Sequence, residues 1–222
     1  MTDNLSREST GSRIDRAIQK PPFERVDPSE LGTVARVLAE AFFDDPVLIW
    51  AMPKAATRLA DATAFFTFYL RRMRPHRWEV FATLDRSAVA IMSSVCQASP
   101  EHREGSRDMP SLVRTTSSAG DYFRWIETFH PPFDHRYLEF IGISPTHRSK
   151  GQGSVLLNGL LEMSAREGLP VWSWSSNPRN LSFYRRLGFD VGTDLRRDTE
   201  TPAVTPLLRP PVPLTTSSTA TN

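Results

Sequence analysis

A turn rich in glycine and basic residues is the part of this sequence best suited to chemistry. An apolar run ends at Pro145, and Arg148, Lys150, Gly151 and Gly153 follow before an apolar helical pattern begins. The free amides at the start of a helix attract anions. Glycines let the backbone approach a phosphate closely, and the two basic side chains add positive charge. The turn therefore predicts a phosphate-binding site.

Three kinds of glycine turn bind phosphate with this general pattern. A Walker A loop is excluded, because its lysine follows the last glycine, whereas Lys150 precedes Gly151. The dinucleotide fingerprint G-x-G-x-x-G fits Gly151 and Gly153 but has Leu156 at its third position, so it fits poorly. The pattern Arg/Gln-x-x-Gly-x-Gly/Ala is matched in full from Arg148 to Gly153.

On this motif the sequence resembles the GNAT superfamily of N-acetyltransferases. SPTHRSKGQGS and the later NPRNLSFYRRLGFDV both fit, and RYLEFIGISPTHRSKGQGSVLL is most similar to the puromycin N-acetyltransferase-like branch. The resemblance covers about residues 136–192; upstream it is looser and rests on AFFDDPVLIWAMP and the order of elements. Ser149 stands where many relatives carry glycine, and a serine is small enough to keep the turn.

The resemblance implies that acetyl-CoA binds between two parallel strands that splay apart, RYLEFIGIS and VWSWS. The diphosphate would lie on the turn, and the pantetheine arm would pair with the first strand like an added strand. The implied cofactor-binding residues are Ile141, Gly142, Ile143, Arg148, Ser149, Lys150, Gly151, Gln152, Gly153, Ser154, Asn177 and Asn180. Asn177 also precedes a proline, so its side chain could instead cap a helix.

Two residues are predicted to act on the reacting atoms. The resemblance implies that Tyr184 protonates the departing thiolate of coenzyme A, although it could also be a core aromatic. Glu139 is the predicted base, because strand alternation places Glu139 and Ile141 on one face and Leu138 and Phe140 on the other. A carboxylate in an apolar strand must face a partner, a cleft or water. Glu139 could therefore also be a structural ion-pair partner.

Hydrophobic periodicity predicts the elements that position these residues. Helices are expected at 29–43, 58–74, 111–129, 155–166 and LSFYRRLGF, with DDP ending the first; strands are expected at FERV, EVFATL, AVAIMSSVCQA, RYLEFIGIS, VWSWS, FDVGTDL and PAVTPLL. This order indicates a mixed α/β fold with a parallel step in its C-terminal half. The resemblance implies the GNAT fold: a mostly antiparallel twisted sheet with one splayed parallel pair, flanked by helices.

One domain is expected at 22–209, between polar tails at 1–21 and 210–222. The 27 Lys and Arg residues nearly balance the 25 Asp and Glu residues, so no nucleic-acid partner is predicted. A single cysteine, no secretory signal and no long apolar run predict a cytoplasmic protein without a membrane partner. His130 and His135 have the spacing of no common metal site, so no metal is expected.

The resemblance implies an enzyme that moves an acetyl group from acetyl-CoA to a primary amine of a small molecule, by direct attack in a ternary complex. One alternative is a protein or peptide N-acetyltransferase, which differs only in its acceptor. Another is a non-catalytic module that binds acyl-CoA. An open groove between a 98–110 loop and the next helix would favour a peptide acceptor. Monomers and homodimers both occur with this fold, so both are expected states.

Overall fold

The sheet has seven strands in the order β1-β2-β3-β4-β5-β7-β6. A computed structural model describes residues 22–73, 78–97 and 117–211. In these residues the strands are β1 (Phe23–Arg25), β2 (Trp78–Thr83), β3 (Ala88–Val95), β4 (His135–Ile143), β5 (Val171–Ser175), β6 (Asp190–Val191) and β7 (Thr205–Arg209). The helices are α1 (Leu31–Ala41), α2 (Pro46–Ala51), α3 (Ala55–Met73), α4 (Ser117–Glu127), α5 (Gln152–Arg166) and α6 (Leu181–Arg186). Neighbouring strands are antiparallel except β4 and β5, which confirms the predicted mixed α/β fold.

Helices cover both faces of the sheet, because its strands carry apolar side chains on both sides. On one face α1, α2 and α3 pack against Val80, Val89 and Ile91. On the other face α5 and α6 pack against Phe81 and Ala90. A third cluster joins α4 to β4, β5 and α2. The β4–β5 region therefore lies where all three clusters meet.

The parallel strands β4 and β5 pair only at their beginnings. The last pair in their register joins Tyr137 to Trp172. Just beyond it, Ser173 Oγ donates a hydrogen bond to the carbonyl oxygen of Leu138 at 2.8 Å. The strands then separate, which confirms the splayed parallel pair.

A bulge in β4 breaks the alternation of its side chains. Consecutive residues of β3 lie opposite Phe140 and Leu138, so Glu139 is an extra residue in the strand. Leu138 and Ile141 pack with the α5 cluster, whereas Phe140 packs with α1 and α3, and Glu139 contacts α3. The prediction that Glu139 shares a face with Ile141 is wrong for this reason.

The DDP sequence ends α1 as expected, but Asp45 and Pro46 also begin α2, which periodicity did not predict. Asp45 Oδ1 accepts a hydrogen bond from the amide of Val47 at 2.9 Å. Pro46 occupies the first helical turn, where no amide donor is needed. A helix of six residues is too short to show a period of 3.6 residues. The next helix, α3, begins at Ala55 rather than at Arg58.

The last two strands are shorter than their patterns predicted. Residues 190–191 and 205–209 form β6 and β7, and an isolated bridge joins Leu195 to Val204. The predicted 98–110 loop and the first residues of the predicted 111–129 helix lie outside the described residues. So do both predicted tails, except residues 210 and 211. In the part of the chain that is described, no helix is both long and apolar enough to cross a membrane.

Candidate active site

The turn between β4 and α5 has the backbone geometry of a glycine-rich anion site. Gly151 has a φ of 80° and immediately precedes α5. Ser149 has a φ of 61°, in the left-handed region that favours glycine, and an L-residue there costs about 1 kcal/mol. The first amides of α5 have no partner within the helix. These amides are therefore available to a ligand that lies in front of the helix.

A cleft of about 610 Å³ lies in front of the turn and extends to β4, α1 and α6. All of the predicted cofactor-binding residues except Lys150 line it: Ile141, Gly142, Ile143, Arg148, Ser149, Gly151, Gln152, Gly153, Ser154, Asn177 and Asn180. Lys150 is exposed and is not among the lining residues. The fold thus brings residues from three separate segments of the sequence to one cleft.

Four basic side chains line the cleft, together with the acidic side chains of Asp44 and Asp45. The basic residues are Arg148, His147, Arg179 and Arg186. Arg148 Nη2 donates to the carbonyl oxygen of Ala41 at 3.0 Å, so it reaches across to the last turn of α1. The last three basic residues were missed from the sequence, although they lie within or beside the GNAT-like motifs. The turn end of the cleft suits a ligand with several phosphate groups.

The backbone of β4 forms one wall of the cleft. Ile141–Ile143 pair with β3 along one edge, and the edge toward β5 has no register pair beyond Tyr137. A Cβ atom on Gly142 would lie 3.0 Å from Leu38 Cδ2 and from Ala41 Cβ, so glycine allows α1 to pack this closely. An extended ligand can add to such an edge through main-chain hydrogen bonds.

A narrow cavity of about 40 Å³ lies between β4 and β5 where the strands separate. It shares Phe42, Asp45, Ile141, Asn180 and Tyr184 with the larger cleft. Its other lining residues are Leu138, Glu139, Phe140, Ser173, Trp174, Ser175 and Ser176. The two spaces adjoin, and both predicted catalytic residues are at their junction or inside the narrow part.

Tyr184 lines both spaces from α6. Its side chain is buried, and its ring packs against Phe183 and Phe189 with centroid distances of 5.2 and 5.4 Å. Burial raises the pKa of its hydroxyl, and the carboxyl group of Asp45 raises it further. The hydroxyl therefore carries its proton at neutral pH and can donate it to an anion in the cleft.

Glu139 lies in the narrow cavity and does not line the larger cleft. Its carboxyl oxygens accept hydrogen bonds from Tyr69 Oη at 3.1 Å and from Ser93 Oγ at 3.2 Å. Burial raises the pKa of this carboxyl group well above its usual range, Glu127 raises it further, and the hydrogen-bond donors only partly oppose the shift. A carboxyl group with a raised pKa suits the acceptance of a proton near neutral pH.

Asp45 is a candidate that the sequence did not reveal. It is 8% exposed, lines both spaces, and accepts hydrogen bonds from Ser176 Oγ at 2.7 and 2.6 Å. Burial raises its pKa, and the donors Ser176 and Val47 oppose the shift. An aspartate before a proline and an apolar run is a helix-cap pattern that could have found its local role. Its closeness to Tyr184 depends on the tertiary fold.

The two predicted asparagines occupy different positions in the cleft. Asn177 Oδ1 accepts from the amide of Arg179 at 3.1 Å, so it caps the short 3₁₀ helix Pro178–Asn180 as well as lining the larger cleft. Asn180 lines both the cleft and the narrow cavity. The capping alternative for Asn177 is therefore confirmed, and a ligand contact stays compatible with it.

Residues 99–189 match the model of the Acetyltransferase (GNAT) family. This part of the chain is therefore similar to the GNAT acetyltransferase family. The match contains the turn, both splayed strands, Glu139 and Tyr184. Asp45 and helices α1–α3 lie outside the GNAT match, so their contribution to the site is read from the structure alone.

Similarity to individual proteins is low in sequence but extensive in fold. The chain is 23% identical over 217 residues to a probable serine/threonine-protein kinase of Dictyostelium discoideum, covering 85% of this chain but 23% of that protein. It is 24% identical over 188 residues to an uncharacterised N-acetyltransferase of Schizosaccharomyces pombe, covering 75% of this chain and 73% of that protein. A solved structure of histone acetyltransferase HPA2 and related acetyltransferase from Corynebacterium glutamicum superposes with a TM-score of 0.65 at 22% identity. It covers 88% of this chain and 98% of that chain, so the similarity of fold extends well beyond residues 99–189.

Proposed function

We propose that this protein is an N-acetyltransferase that uses acetyl-CoA to acetylate a primary amine of a small molecule. One observation supports this most directly: the left-handed turn at the start of α5 and the buried hydroxyl of Tyr184 line the same cleft. The turn suits a diphosphate, and a protonated hydroxyl suits a departing thiolate. The predicted similarity to the puromycin N-acetyltransferase-like branch is part of this proposal.

The residues along the cleft match the successive parts of acetyl-CoA, from the diphosphate through the pantetheine arm to the thioester. The amides from Gly151 to Ser154 and the side chain of Arg148 would hold the diphosphate. A Cβ atom on Gly153 would lie 3.0 Å from Ile143 Cδ1, so glycine keeps α5 close to β4 at this point. The free edge of β4 would pair with the amide groups of the pantetheine arm, which directs the thioester toward the narrow cavity.

Transfer then needs two proton movements. The neutral amine attacks the thioester carbonyl, a C–N bond forms, and the C–S bond breaks. Glu139 takes the proton that the amine loses, directly or through a water molecule. Tyr184 gives its proton to the thiolate sulfur, and both side chains return to their starting states by exchange with water.

Two measurements test this function. Calorimetry with the purified protein and coenzyme A should show binding, and acetyl-CoA with a broad amine panel should release free thiol together with acetylated amine. No coenzyme A binding at millimolar concentration would refute the proposal. Binding without transfer to any amine or peptide would indicate the non-catalytic module, and transfer to peptides alone would indicate the protein acetyltransferase.

A further inference from the structure

Charge is divided between the two ends of the joined cavities. The larger cleft is lined by the basic residues His147, Arg148, Arg179 and Arg186 and by two acidic residues, Asp44 and Asp45. Among the described residues that line the narrow cavity, the only ionisable groups are Tyr184 and the carboxyl groups of Asp45 and Glu139, and no basic side chain is present. One end therefore suits the anionic donor, and the other suits a positive charge.

The two carboxyl groups are hydrogen-bonded by neutral donors. Ser176 Oγ and the Val47 amide donate to Asp45, and the Tyr69 and Ser93 hydroxyls donate to Glu139. Salt bridges between described residues do not include either acid. The carboxyl groups of buried Asp45 and half-buried Glu139 thus lie beside one cavity with no cation among its described lining residues, and a bound cation would stabilise them.

Other charged groups near the narrow cavity leave its net charge negative. Glu127 acts on Glu139 and adds a third carboxyl group to the same region. The positive charge of Arg196 lowers the pKa of Tyr122 on α4. Arg196 itself is exposed, donates a hydrogen bond to the Thr201 carbonyl oxygen and does not line the narrow cavity. The acceptor end is thus acidic in the part of the chain that the structure describes.

We propose, on the basis of the proposed function, that Asp45 and Glu139 together select acceptors that enter as ammonium ions and carry no carboxylate beside the amine. The ammonium replaces the missing cation, and the aromatic rings of Phe42, Phe140 and Trp174 provide apolar walls. Asp45 then takes the first proton from the ammonium, which leaves the neutral amine for attack and leaves Glu139 free to take the second proton. A carboxylate on the acceptor would add a further negative charge beside these acids and would be repelled.

Matched acceptors test this selection directly. Phenethylamine, phenylalaninamide and phenylalanine share a ring and an amine, and only the last carries a carboxylate; agmatine, argininamide and arginine repeat the comparison with a different side chain. The expected kcat/KM of the amine and of the amide exceeds that of the acid by about 100-fold in at least one series. Equal values for amide and acid in every reactive series would overturn the proposal and leave the transferase function standing.

Two variants and a binding measurement complete the test. Both Asp45→Asn and Glu139→Gln should lose activity. In each, the kcat/KM for the amide divided by that for the acid should also fall about tenfold or more, because the variant lacks one of the two negative charges that repel the acid. An unchanged ratio in both folded variants contradicts the assignment to these residues. If no acceptor is acetylated, calorimetry of the coenzyme A complex with each amine, amide and acid still tests the selection. Equal affinities for amide and acid would overturn the selection. The failure of acetyl transfer would count only against the enzyme function.

Discussion

Ser176 Oγ donates to both carboxyl oxygens of Asp45, at 2.7 Å to Oδ1 and 2.6 Å to Oδ2, across 131 positions of the sequence. This contact joins the start of α2 to the residue that follows β5. It closes one side of the narrow cavity between the splayed strands and holds Asp45 near Tyr184. The shape of the narrow cavity therefore depends on a contact between segments that lie far apart in the sequence.

Removal of the Tyr184 hydroxyl should slow transfer without loss of donor binding. In Tyr184→Phe we expect kcat to fall by about 100-fold or more, because the thiolate loses its proton donor. The Kd for coenzyme A should stay within about twofold, because the ring packing is kept. Steady-state kinetics and calorimetry check this.

The matched control for this variant is Tyr122→Phe. Tyr122 is a buried tyrosine whose hydroxyl donates to the Pro202 carbonyl oxygen at 2.9 Å and does not line the cleft. Its loss should leave kcat nearly unchanged. Equal losses of kcat in the two variants would show that Tyr184 acts through packing rather than as an acid.

Alanine at Gly151 should damage both stability and donor binding. Its φ of 80° strains any side chain, so Gly151→Ala should lose about 1 kcal/mol of unfolding free energy. Because the turn faces the cleft, its coenzyme A affinity should fall by about tenfold or more. Gly168 is a close match, with a φ of 70° and open space around its Cβ position, but it follows α5 at the opposite end. Gly168→Ala should show the same instability with normal affinity; normal affinity in both would argue against the turn as the phosphate site.

Two neighbouring basic residues should differ in their effect on donor binding. Arg148 lines the cleft, and Lys150 does not. Arg148→Ala should weaken coenzyme A binding by about 10- to 100-fold, the size of a lost charge-assisted hydrogen bond. Lys150→Ala removes the same charge and should change the Kd by about threefold at most. Similar losses in the two variants would mean that general charge attraction, not contact, holds the donor.

The buried carboxyl group of Glu139 should make stability depend on pH. The folded state raises the pKa of Glu139 above its ordinary value of 4.5, so it binds this proton more tightly than the unfolded chain does. The free energy of unfolding therefore falls as the pH rises from 4.5 toward the raised value. Glu139→Gln keeps a hydrogen-bond acceptor for Tyr69 and Ser93 but has no carboxyl group to ionise. Its free energy of unfolding should therefore not fall in this way as the pH rises.

The expected result is a Tm difference between Glu139→Gln and the wild type that increases as the pH is raised above 4.5 and disappears below it. Thermal unfolding by circular dichroism across this range measures it. Glu162→Gln changes an exposed carboxylate on α5, 72% of whose side chain is accessible, and should show no such trend. A constant difference for Glu139→Gln at all pH values would contradict the burial of its charge.

Two glycine-to-alanine changes in helices should have opposite effects. A Cβ atom on Gly159 in α5 would lie 2.0 Å from Phe23 Cε1, so Gly159→Ala should lose about 1–3 kcal/mol through overpacking. Nothing lies within 4 Å of the Cβ position of Gly32 in α1, so Gly32→Ala should gain about 0.5–1 kcal/mol from helix propensity. Denaturant unfolding compares them. A gain in both would mean that Phe23 does not pack on α5.

Much of the fold could be predicted because its signals are local. The strands β2 and β3 and the helix α5 are long enough for their hydrophobic period to show, and Gly188, with a φ of 78°, ends α6 as a left-handed cap. The turn at Gly151 was found because glycine and basic residues cluster within a few positions. In contrast, α2 was missed, since six residues hold less than two helical turns.

The sequence alone determined the glycine turn and the strand and helix on its two sides, because each depends on residues that are neighbours along the chain. The tertiary structure decided the rest. It placed Glu139 in a bulge on the α3 face, which strict alternation cannot anticipate. It also brought Asp45 to Tyr184 and left Lys150 outside the cleft. Such relationships come from packing between distant segments, and the spacing of residues within one segment does not contain them.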